Sequence, residues 1–428
     1  MSKYRCEKMR EAVGKFAEHI GDPRLREMFL KCFFSTIDTT LSESEGLPFV
    51  VTGDIPAMWL RDSAAQVLQY IPYAAECEET AELIRGLAER QFGFIALDPY
   101  ANAFNAEPNG KGHVGDICDA YSPWVWERKY ELDSLCYPFF LAQKYYNATK
   151  DERIFSFAYQ TAAKSALDVM EREQRPENSP YRHRRFGKGA HITDTLINCG
   201  KGSVCGYTGM IRSCYRPSDD ACVFGFNVPE NMFAYAALGC LAEGLYKLGN
   251  AADAARAEKL RGEVKSGIEK FGIINEDGET FYAYEVDGLG NALFMDDANV
   301  PSLLAAPFLG FCSPDDALYL CTRKKILSHR NPYWFEGKAA CGVGSPHTPD
   351  GYIWHIGLCV QALTSQDENE IRGILQMLRD TDAGTLCMHE GFDCDDPRKY
   401  TRPWFAWANS MFALLLYEKI EVLSKCRI

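Results

Sequence analysis

The stretch NVPENMFAYAALGCLAEGLYKLGN, residues 227–250, decides the predicted fold because it contains a helix together with both of its boundaries. Asn227 and Glu230 have the spacing of a capping box, and Pro229 lies in the first turn. One face of the predicted helix is apolar and is formed by Phe233, Ala236, Ala237, Cys240, Leu241, Leu245 and Leu248. A second amphipathic segment follows at 252–271. The stretch therefore predicts a helix and a helical partner.

Amphipathic segments recur in successive pairs along the chain. The other predicted helices cover 4–19 and 24–43, 57–76 and 79–96, 130–147 and 151–173, 301–311 and 314–328, 352–364 and 366–380, and finally 403–424. Two all-α architectures fit this order, an open solenoid and a closed toroid of helix pairs. A solenoid should show a sequence period of 20–50 residues, and the chain shows none.

The connections between these pairs are unequal, which favours the toroid. The long connections, rich in Gly, Pro, Asp and aromatic residues, are 97–129, 174–226 and 329–351. A further connection, 274–297, reads as a β-hairpin. Long structured loops in a compact domain usually carry function. We therefore expect one domain over residues 1–428, with long loops and small hairpins on one rim.

Composition excludes several classes of function. The chain has 428 residues and a net charge of −13, which disfavours nucleic acid as a partner. No apolar run reaches the ~18 residues that a membrane span needs, and the charged N-terminal segment has no apolar core of a signal peptide. We therefore expect a cytoplasmic enzyme that acts without a membrane. The 17 cysteines are expected to be buried, reduced thiols.

The sequence predicts neither a metal nor a cofactor. The eight histidines are scattered, without H-E-x-x-H or a Cys/His cluster at zinc spacing. The stretch GKGSVCGYTG, 200–209, lacks the spacing of a dinucleotide-binding loop, and GVGSPHTP only superficially resembles a nucleophile elbow.

Carboxylates lie beside aromatic or amide side chains at four predicted helix starts. The four stretches are GDIPAMWLRD (53–62), YRPSDDACVFGFNVPENM (215–232), FMDDANVP (294–301) and MHEGFDCDDPRKYTRPWFAWANSMF (388–412). Each could simply contain caps, turn residues or core aromatics. Together, however, acids with Trp, Arg and Asn suit hydroxyl-rich ligands. Two carboxylates on opposite faces of a sugar could hydrolyse a glycosidic bond, with inversion or retention set by their separation.

These stretches, with DGYIWHIGL at 350–358, closely resemble glycoside hydrolase family 125 from about residue 5 to residue 424. The resemblance implies an (α/α)6 barrel and metal-independent, inverting exo-α-1,6-mannosidase activity on non-reducing terminal mannose, as in trimmed N-glycans. It implies that Asp220 is the general acid, with the adjacent Asp219 as the alternative, and that Glu390 is the general base. A raised pKa would suit Asp220, and burial or a like charge would provide it.

The resemblance also suggests which residues hold the terminal mannose of an oligosaccharide substrate. Trp59, Arg61 and Asp62 are expected to line its pocket. Weaker candidates for the same pocket are Asp54, Asn299, His355, Arg402 and Trp404. Two alternatives remain open at this point: another enzyme on the same barrel, such as an inverting α-glucosidase, and a helical carbohydrate-binding or scaffold protein without activity.

Overall fold

Helices dominate the computed structural model, which describes residues 3–187 and 190–424. In chain order they are α1 (Glu7–Ala17), α2 (Pro23–Ser35), α3 (Leu60–Ala65), α4 (Ile71–Ala74), α5 (Glu78–Leu97), α6 (Tyr137–Thr149), α7 (Phe157–Glu173), α8 (Ile197–Gly200), α9 (Val228–Lys247), α10 (Ala251–Phe271), α11 (Ala317–Ile326), α12 (His355–Leu363), α13 (Glu368–Asp380), α14 (Ala406–Glu418) and α15 (Ile420–Ser424).

The strands are short and pair antiparallel in sheets of two or three. They are β1 (Leu41–Ser44), β2 (Leu47–Val50), β3 (Met58–Trp59), β4 (Ala103–Phe104), β5 (Asp116–Cys118), β6 (Val125–Glu127), β7 (His183–Arg185), β8 (Phe226–Asn227), β9 (Ile273–Glu276), β10 (Glu279–Tyr282), β11 (Glu285–Val286), β12 (Ala292–Leu293), β13 (Trp334–Glu336), β14 (Cys341–Val343), β15 (Tyr352–Trp354) and β16 (Gly391–Asp393). In the predicted hairpin, β11 pairs with β12, with Glu285 opposite Leu293.

The predicted pairing of neighbouring helices is confirmed for α9 with α10 and for α12 with α13. The predicted pairing of 130–147 with 151–173 is wrong, because α7 packs mainly along α5 and not along α6. A second set of contacts runs between the pairs: α14 contacts α3, α3 contacts α6, and α6 contacts α9. Helix α14 also packs against α2 and α12, so the last long helix lies against the start of the chain.

The boundaries of α9 follow directly from its sequence. The Asn227 side chain caps the helix by accepting a hydrogen bond from the backbone N–H of Glu230 at 3.0 Å. Phe233, Ala237 and Leu241 are buried on the predicted face. The predicted helix is confirmed, and α10 follows it at once.

The predicted helices over 301–311 and 57–76 are not continuous. Residues 301–311 form turns, because Pro301 and Pro307 lack an N–H and the Asp296 carboxylate accepts the N–H groups of Leu303 and Leu304 at 2.9 and 3.0 Å. The predicted helix over 57–76 is divided into α3, a 3-10 turn and α4, separated by the non-helical backbone of Val67.

The prediction that all cysteines are reduced is wrong at one place. A disulfide joins Cys6, at the start of α1, to Cys77, just before α5. The other cysteines of the described residues are free thiols.

Within the same residues, no helix combines the length and the apolarity needed to cross a lipid bilayer.

Candidate active site

A cavity of about 230 Å³ lies where the segment before α3 meets the segment before α14. It is lined by Thr52, Asp54, Ile55, Trp59, Arg61, Asp62, Pro217, Ser218, Asp219, Asn299, His347, Trp354, Glu390, Arg402, Phe405 and Trp407. All four stretches in which the sequence placed acids beside aromatic or amide residues contribute to this lining.

A glycine brings the two segments together. Gly53 has a φ of +145°, and a Cβ at this position would lie 2.0 Å from the carbonyl oxygen of Trp404. That close approach lets the N–H of Asp54 donate to the same carbonyl at 3.2 Å, while Gly53 forms a bridge with Phe405. Any side chain at residue 53 would force this wall of the cavity apart.

Arg61 is the buried cation at the base of the site, and four carboxylates surround it. Its Nη1 donates to Glu131 at 2.7 Å and to Asp133 at 3.3 Å, and other nitrogens lie 3.5 Å from Asp62 and 3.8 Å from Asp219. Four ionised acids would carry more negative charge than one guanidinium can balance. Burial disfavours the ionised carboxylates, and it raises the pKa of Glu131 well above its usual range and that of Asp62 to about 6.

The two candidate acids of the RPSDD loop differ in their surroundings. Asp219 lines the cavity with a φ of +67°, and its backbone carbonyl accepts a hydrogen bond from Lys129 at 2.7 Å. Asp220 is outside the lining residues and 4% exposed, and it closes the turn by accepting the N–H of Arg216 at 2.8 Å through its carbonyl. Left-handed backbone at a non-glycine residue is costly and is concentrated at functional sites.

Both aspartates are held ionised, but by different partners. Burial alone would raise the pKa of Asp219, yet the charges of Lys129 and Arg61 and a hydrogen bond with Glu131 lower it below its usual range. Asp220 lies 3.7 Å from Nδ1 of His347.

His347 reverses the expected shift of Asp220. Burial alone would raise the pKa of Asp220, but the nearby His347 imidazole lowers it. The expectation of a raised pKa at Asp220 is therefore wrong. The same contact outweighs the partial burial of His347 and raises the pKa of its imidazole to about 9.

Glu390 faces the cavity and is held by Arg402. Nη1 of Arg402 lies 3.5 Å from the Glu390 carboxylate, while Nη2 donates to Asp54 at 2.5 Å and to Thr52 at 2.6 Å. Arg402 has a φ of +48°, the second non-glycine residue of this site in the left-handed region.

Indole and amide groups complete the walls. Trp59 is buried on β3, and its Nε1 has no hydrogen-bond partner within 3–187 and 190–424. Trp407 stacks near Arg61, whose guanidinium carbon lies 5.7 Å from the indole ring. Asn299 is oriented by Asp297, which accepts from both its backbone and its side-chain nitrogen.

Two predicted pocket residues do not line the cavity. His355 is fully buried behind it, accepts the N–H of His389 at 3.0 Å through Nδ1, and has a pKa that burial lowers to about 3. Trp404 is 40% exposed and donates from its indole to Thr39 at 3.0 Å. Trp404 contributes to the site through its backbone carbonyl.

The sequence missed several lining residues. Trp354 and Trp407 lie inside stretches already singled out, so their indoles could have been included. His347 lies in the long connection 329–351, where the only available signal was the length of the loop. Which loop residue would reach Asp220 depends on the three-dimensional path of that loop.

Potential metal ligands of the described chain cluster elsewhere. One group is Cys6, Cys77 and Glu79, of which the cysteines form the disulfide, and the other is Asp393, Cys394 and Asp395. None of these residues lines the cavity.

Residues 22–417 match the model of a protein family described as metal-independent alpha-mannosidase, GH125. A curated relative is the meiotically up-regulated gene 157 protein of Schizosaccharomyces pombe. It is 38% identical over 443 aligned residues, which cover 98% of this chain and 86% of that protein.

A solved structure from Streptococcus pneumoniae is similar over nearly its whole length. It has a TM-score of 0.95 and 44% identity, and the match covers 97% of this chain and 99% of that one. It comes from work on metal-independent alpha mannosidases and the processing of N-linked glycans, and is a non-productive substrate complex with alpha-1,6-mannobiose.

A bacterial glucoamylase in complex with acarbose shares the fold at low identity. Its TM-score is 0.57 at 12% identity, with 86% of this chain and 50% of that chain covered. This likeness shows that the chain has a helical fold similar to that of the glucoamylase.

Proposed function

Because the chain belongs to family GH125, the metal-independent alpha-mannosidases, we propose that it is an exo-acting, inverting α-1,6-mannosidase. Its substrates would be oligosaccharides with a non-reducing terminal mannose, such as trimmed N-glycans. The observation that carries the proposal is a small acid-lined cavity in a chain 44% identical to a protein that binds alpha-1,6-mannobiose. About 230 Å³ has room for one sugar ring, which suits removal of a single terminal residue.

The reaction needs one carboxyl on each side of the glycosidic bond. A protonated acid gives its proton to the glycosidic oxygen as the bond from C1 to that oxygen breaks. An ionised base takes a proton from the water that attacks C1 from the opposite face, so the anomeric configuration inverts. Glu390 is assigned as the base because the family resemblance implies this role and because its carboxylate lines the cavity, 3.5 Å from Nη1 of Arg402.

Asp220 is assigned as the acid, and the contrast with Asp219 supports this choice. Asp219 is held by Arg61 and Lys129, cations that keep their charge at working pH, so it suits an acceptor for sugar hydroxyls. Asp220 has a titratable partner, His347, and the two groups retain one proton between them up to about pH 9. A proton is therefore available beside Asp220.

The finer architecture and the location belong to the same proposal. One domain built as an (α/α)6 barrel fits the contacts of α14 with α2 and α3 and the likeness to glucoamylase. A cytoplasmic location is supported by the many free thiols, whereas the Cys6–Cys77 disulfide requires oxidation. Fractionation of cells that express the chain would decide the location.

Proton NMR of α-1,6-mannobiose hydrolysis, followed from the first minutes, tests the activity. The proposal expects β-mannose to appear first and α-mannose to grow in only by mutarotation. Initial α-mannose would mean retention, and cleavage of α-glucosides in preference to α-mannosides would overturn the substrate assignment.

Leaving-group dependence separates the two aspartates. An Asp220→Asn variant should be inactive on mannobiose but active on 2,4-dinitrophenyl α-mannoside, whose leaving group needs no proton. An Asp219→Asn variant should be slow on both, because it loses a sugar contact. The reverse pattern would make Asp219 the acid.

A further inference from the structure

A second cavity, of about 250 Å³, lies beside the candidate active site. It is formed by the connection between α5 and α6. Its chemically distinctive lining residues are Lys111, His113, Asp116, Tyr121, Trp126 and Arg128. Polar and charged groups around an aromatic surface are the lining expected of a site for a polar ligand.

Two buried donors at this cavity have no acceptor. Nε1 of Trp126 and Nη1 of Arg128 are buried, and neither has a hydrogen-bond partner in the part of the chain that the structure describes. An unsatisfied buried donor costs free energy, more so when it is charged. An oxygen-rich ligand would satisfy both groups.

Arg128 is fixed independently of any ligand. Its Nε donates to Asp98 at 2.7 Å, and its guanidinium lies 5.3 Å from the ring of Tyr100 and 5.6 Å from that of Tyr181. The free Nη1 is thus held in position by an ion pair and two aromatic rings, which pre-organises the donor.

An exposed aromatic ring stands at the same cavity. Tyr121 is 81% exposed, although a large aromatic residue usually buries its ring. Sugars bind by placing their C–H face on an aromatic ring while their hydroxyls take up nearby donors. Tyr121 and the two unsatisfied donors provide both kinds of contact.

The second cavity is adjacent to the first through one small sheet. Trp126 lies on β6, which pairs with β4, which pairs with the β3 strand of Trp59. Trp126 also packs against the cluster that contains Trp59. Neighbouring strands are ~4.8 Å apart, so the backbones of β3 and β6 lie on the order of 10 Å apart, a span of about two sugar units.

We propose that this cavity is a second sugar-binding subsite, which receives the second hexose on the leaving-group side of the scissile bond. This inference rests on the proposed function, since it assumes that a mannoside occupies the first cavity. It predicts that the protein prefers substrates longer than a disaccharide.

The test compares kcat/KM for α-1,6-mannotriose and α-1,6-mannobiose. Wild type should prefer the trisaccharide, and Tyr121→Ala should lower kcat/KM for it about tenfold, the effect of one lost aromatic contact. Cleavage of mannobiose should not change. Trp126→Phe, which keeps a ring but removes the donor, should act in the same direction.

Tyr246→Ala is the matched control, because Tyr246 is a 54% exposed tyrosine on a different surface groove. It should leave both substrates unaffected. Equal kcat/KM values for the two substrates in wild type, or an equal fall for both in Tyr121→Ala, would overturn the subsite while leaving the mannosidase activity standing. A wild type inactive on both substrates would refute the proposed function instead.

Discussion

A groove larger than the candidate active site lies elsewhere on the molecule and contains none of the proposed catalytic residues. A groove bordered by α6, α9 and α10 has a volume of about 800 Å³, against about 230 Å³ for the cavity at Glu390. In the groove, charges sit at the surface in simple pairs, such as Arg261 with Glu258 at 3.4 Å. In the cavity, Arg61 is 3% exposed and faces four acids.

The comparison indicates that the free-energy cost of buried charges, rather than the volume of a cavity, distinguishes the candidate functional site. Surface pairs are screened by water and contribute little to stability. A buried excess of carboxylates is expensive, and such groups persist where a ligand or a reaction uses them. Matched substitutions in the two regions should therefore differ in size.

The largest effect is expected from Glu390→Gln. Removing the proposed general base should lower kcat for α-1,6-mannobiose by about 10³-fold, with the fold intact because Gln has the same size. Initial rates at substrate saturation measure it. Glu243→Gln in the groove is the control and should retain full activity, whereas a Glu390→Gln variant within about tenfold of wild type would exclude Glu390 as the base.

Arg61→Met should be the most destabilising change. It leaves Glu131, Asp133 and the other carboxylates buried without their cation, which should cost about 3–5 kcal/mol in the free energy of unfolding at pH 7. Urea denaturation measures the loss. The loss should shrink towards pH 5 as Asp62, with a pKa of about 6, takes up its proton. A loss independent of pH would mean that Arg61 acts by packing alone.

His347→Asn should move the pH profile rather than abolish activity. In wild type the Asp220–His347 pair keeps a proton until the imidazole titrates near pH 9, so the alkaline limb of kcat/KM should lie there. Without the imidazole the proton is held by the carboxyl of Asp220 alone, and a carboxyl loses its proton at lower pH than the pair does. The alkaline limb should then shift to lower pH by one unit or more.

The control for this shift is His329→Asn, which changes a histidine 77% exposed at the surface. Its profile should superimpose on that of wild type. An unmoved limb in His347→Asn would show that the proton comes from another group. His347 also makes the stability of the fold depend on pH. Because its pKa is raised in the folded protein, its stabilising contribution is fully present below the pKa of the unfolded chain and is lost as the pH rises through about 9.

The smallest effect is expected from Arg261→Met in the groove. Methionine removes a guanidinium that lies 4.4 Å from the Tyr235 ring, donates to the Tyr235 carbonyl at 3.1 Å and pairs with Glu258, all from a partly exposed side chain. The free energy of unfolding should change by less than about 1 kcal/mol. A loss as large as that of Arg61→Met would remove the distinction between the two regions.

Sequence predicted best what short stretches determine. The cap at Asn227 and the boundaries of α9 and α10 follow from local signals, and so do the site residues at the segment junctions, such as Arg61, Glu390 and Arg402. These residues lie beside helix starts, where glycine, proline and capping side chains mark the chain. Their roles came from resemblance to a family, and they remain predictions.

Prediction from the sequence failed at two places where a specific side-chain contact determines the structure or the pKa. The turns at 301–311 replace a helix because the Asp296 carboxylate takes the N–H groups that a helix would need. The contact of His347 with Asp220 depends on the path of a long loop, and it changed the direction of the predicted pKa shift. No local pattern encodes the contact of His347 with Asp220, whereas Pro301 and Pro307 were local signals against a helix at 301–311.

The packing of α14 on α2, α3 and α12 has a consequence for synthesis of the chain. During translation, α2 leaves the ribosome hundreds of residues before its neighbour α14. Until then the face of α2 that carries Cys32, whose thiol donates to Asn409 of α14 at 3.3 Å, lacks part of its native cover. A nascent chain therefore exposes an apolar surface for most of its elongation time, and holding chaperones have the longest access to this first part of the protein.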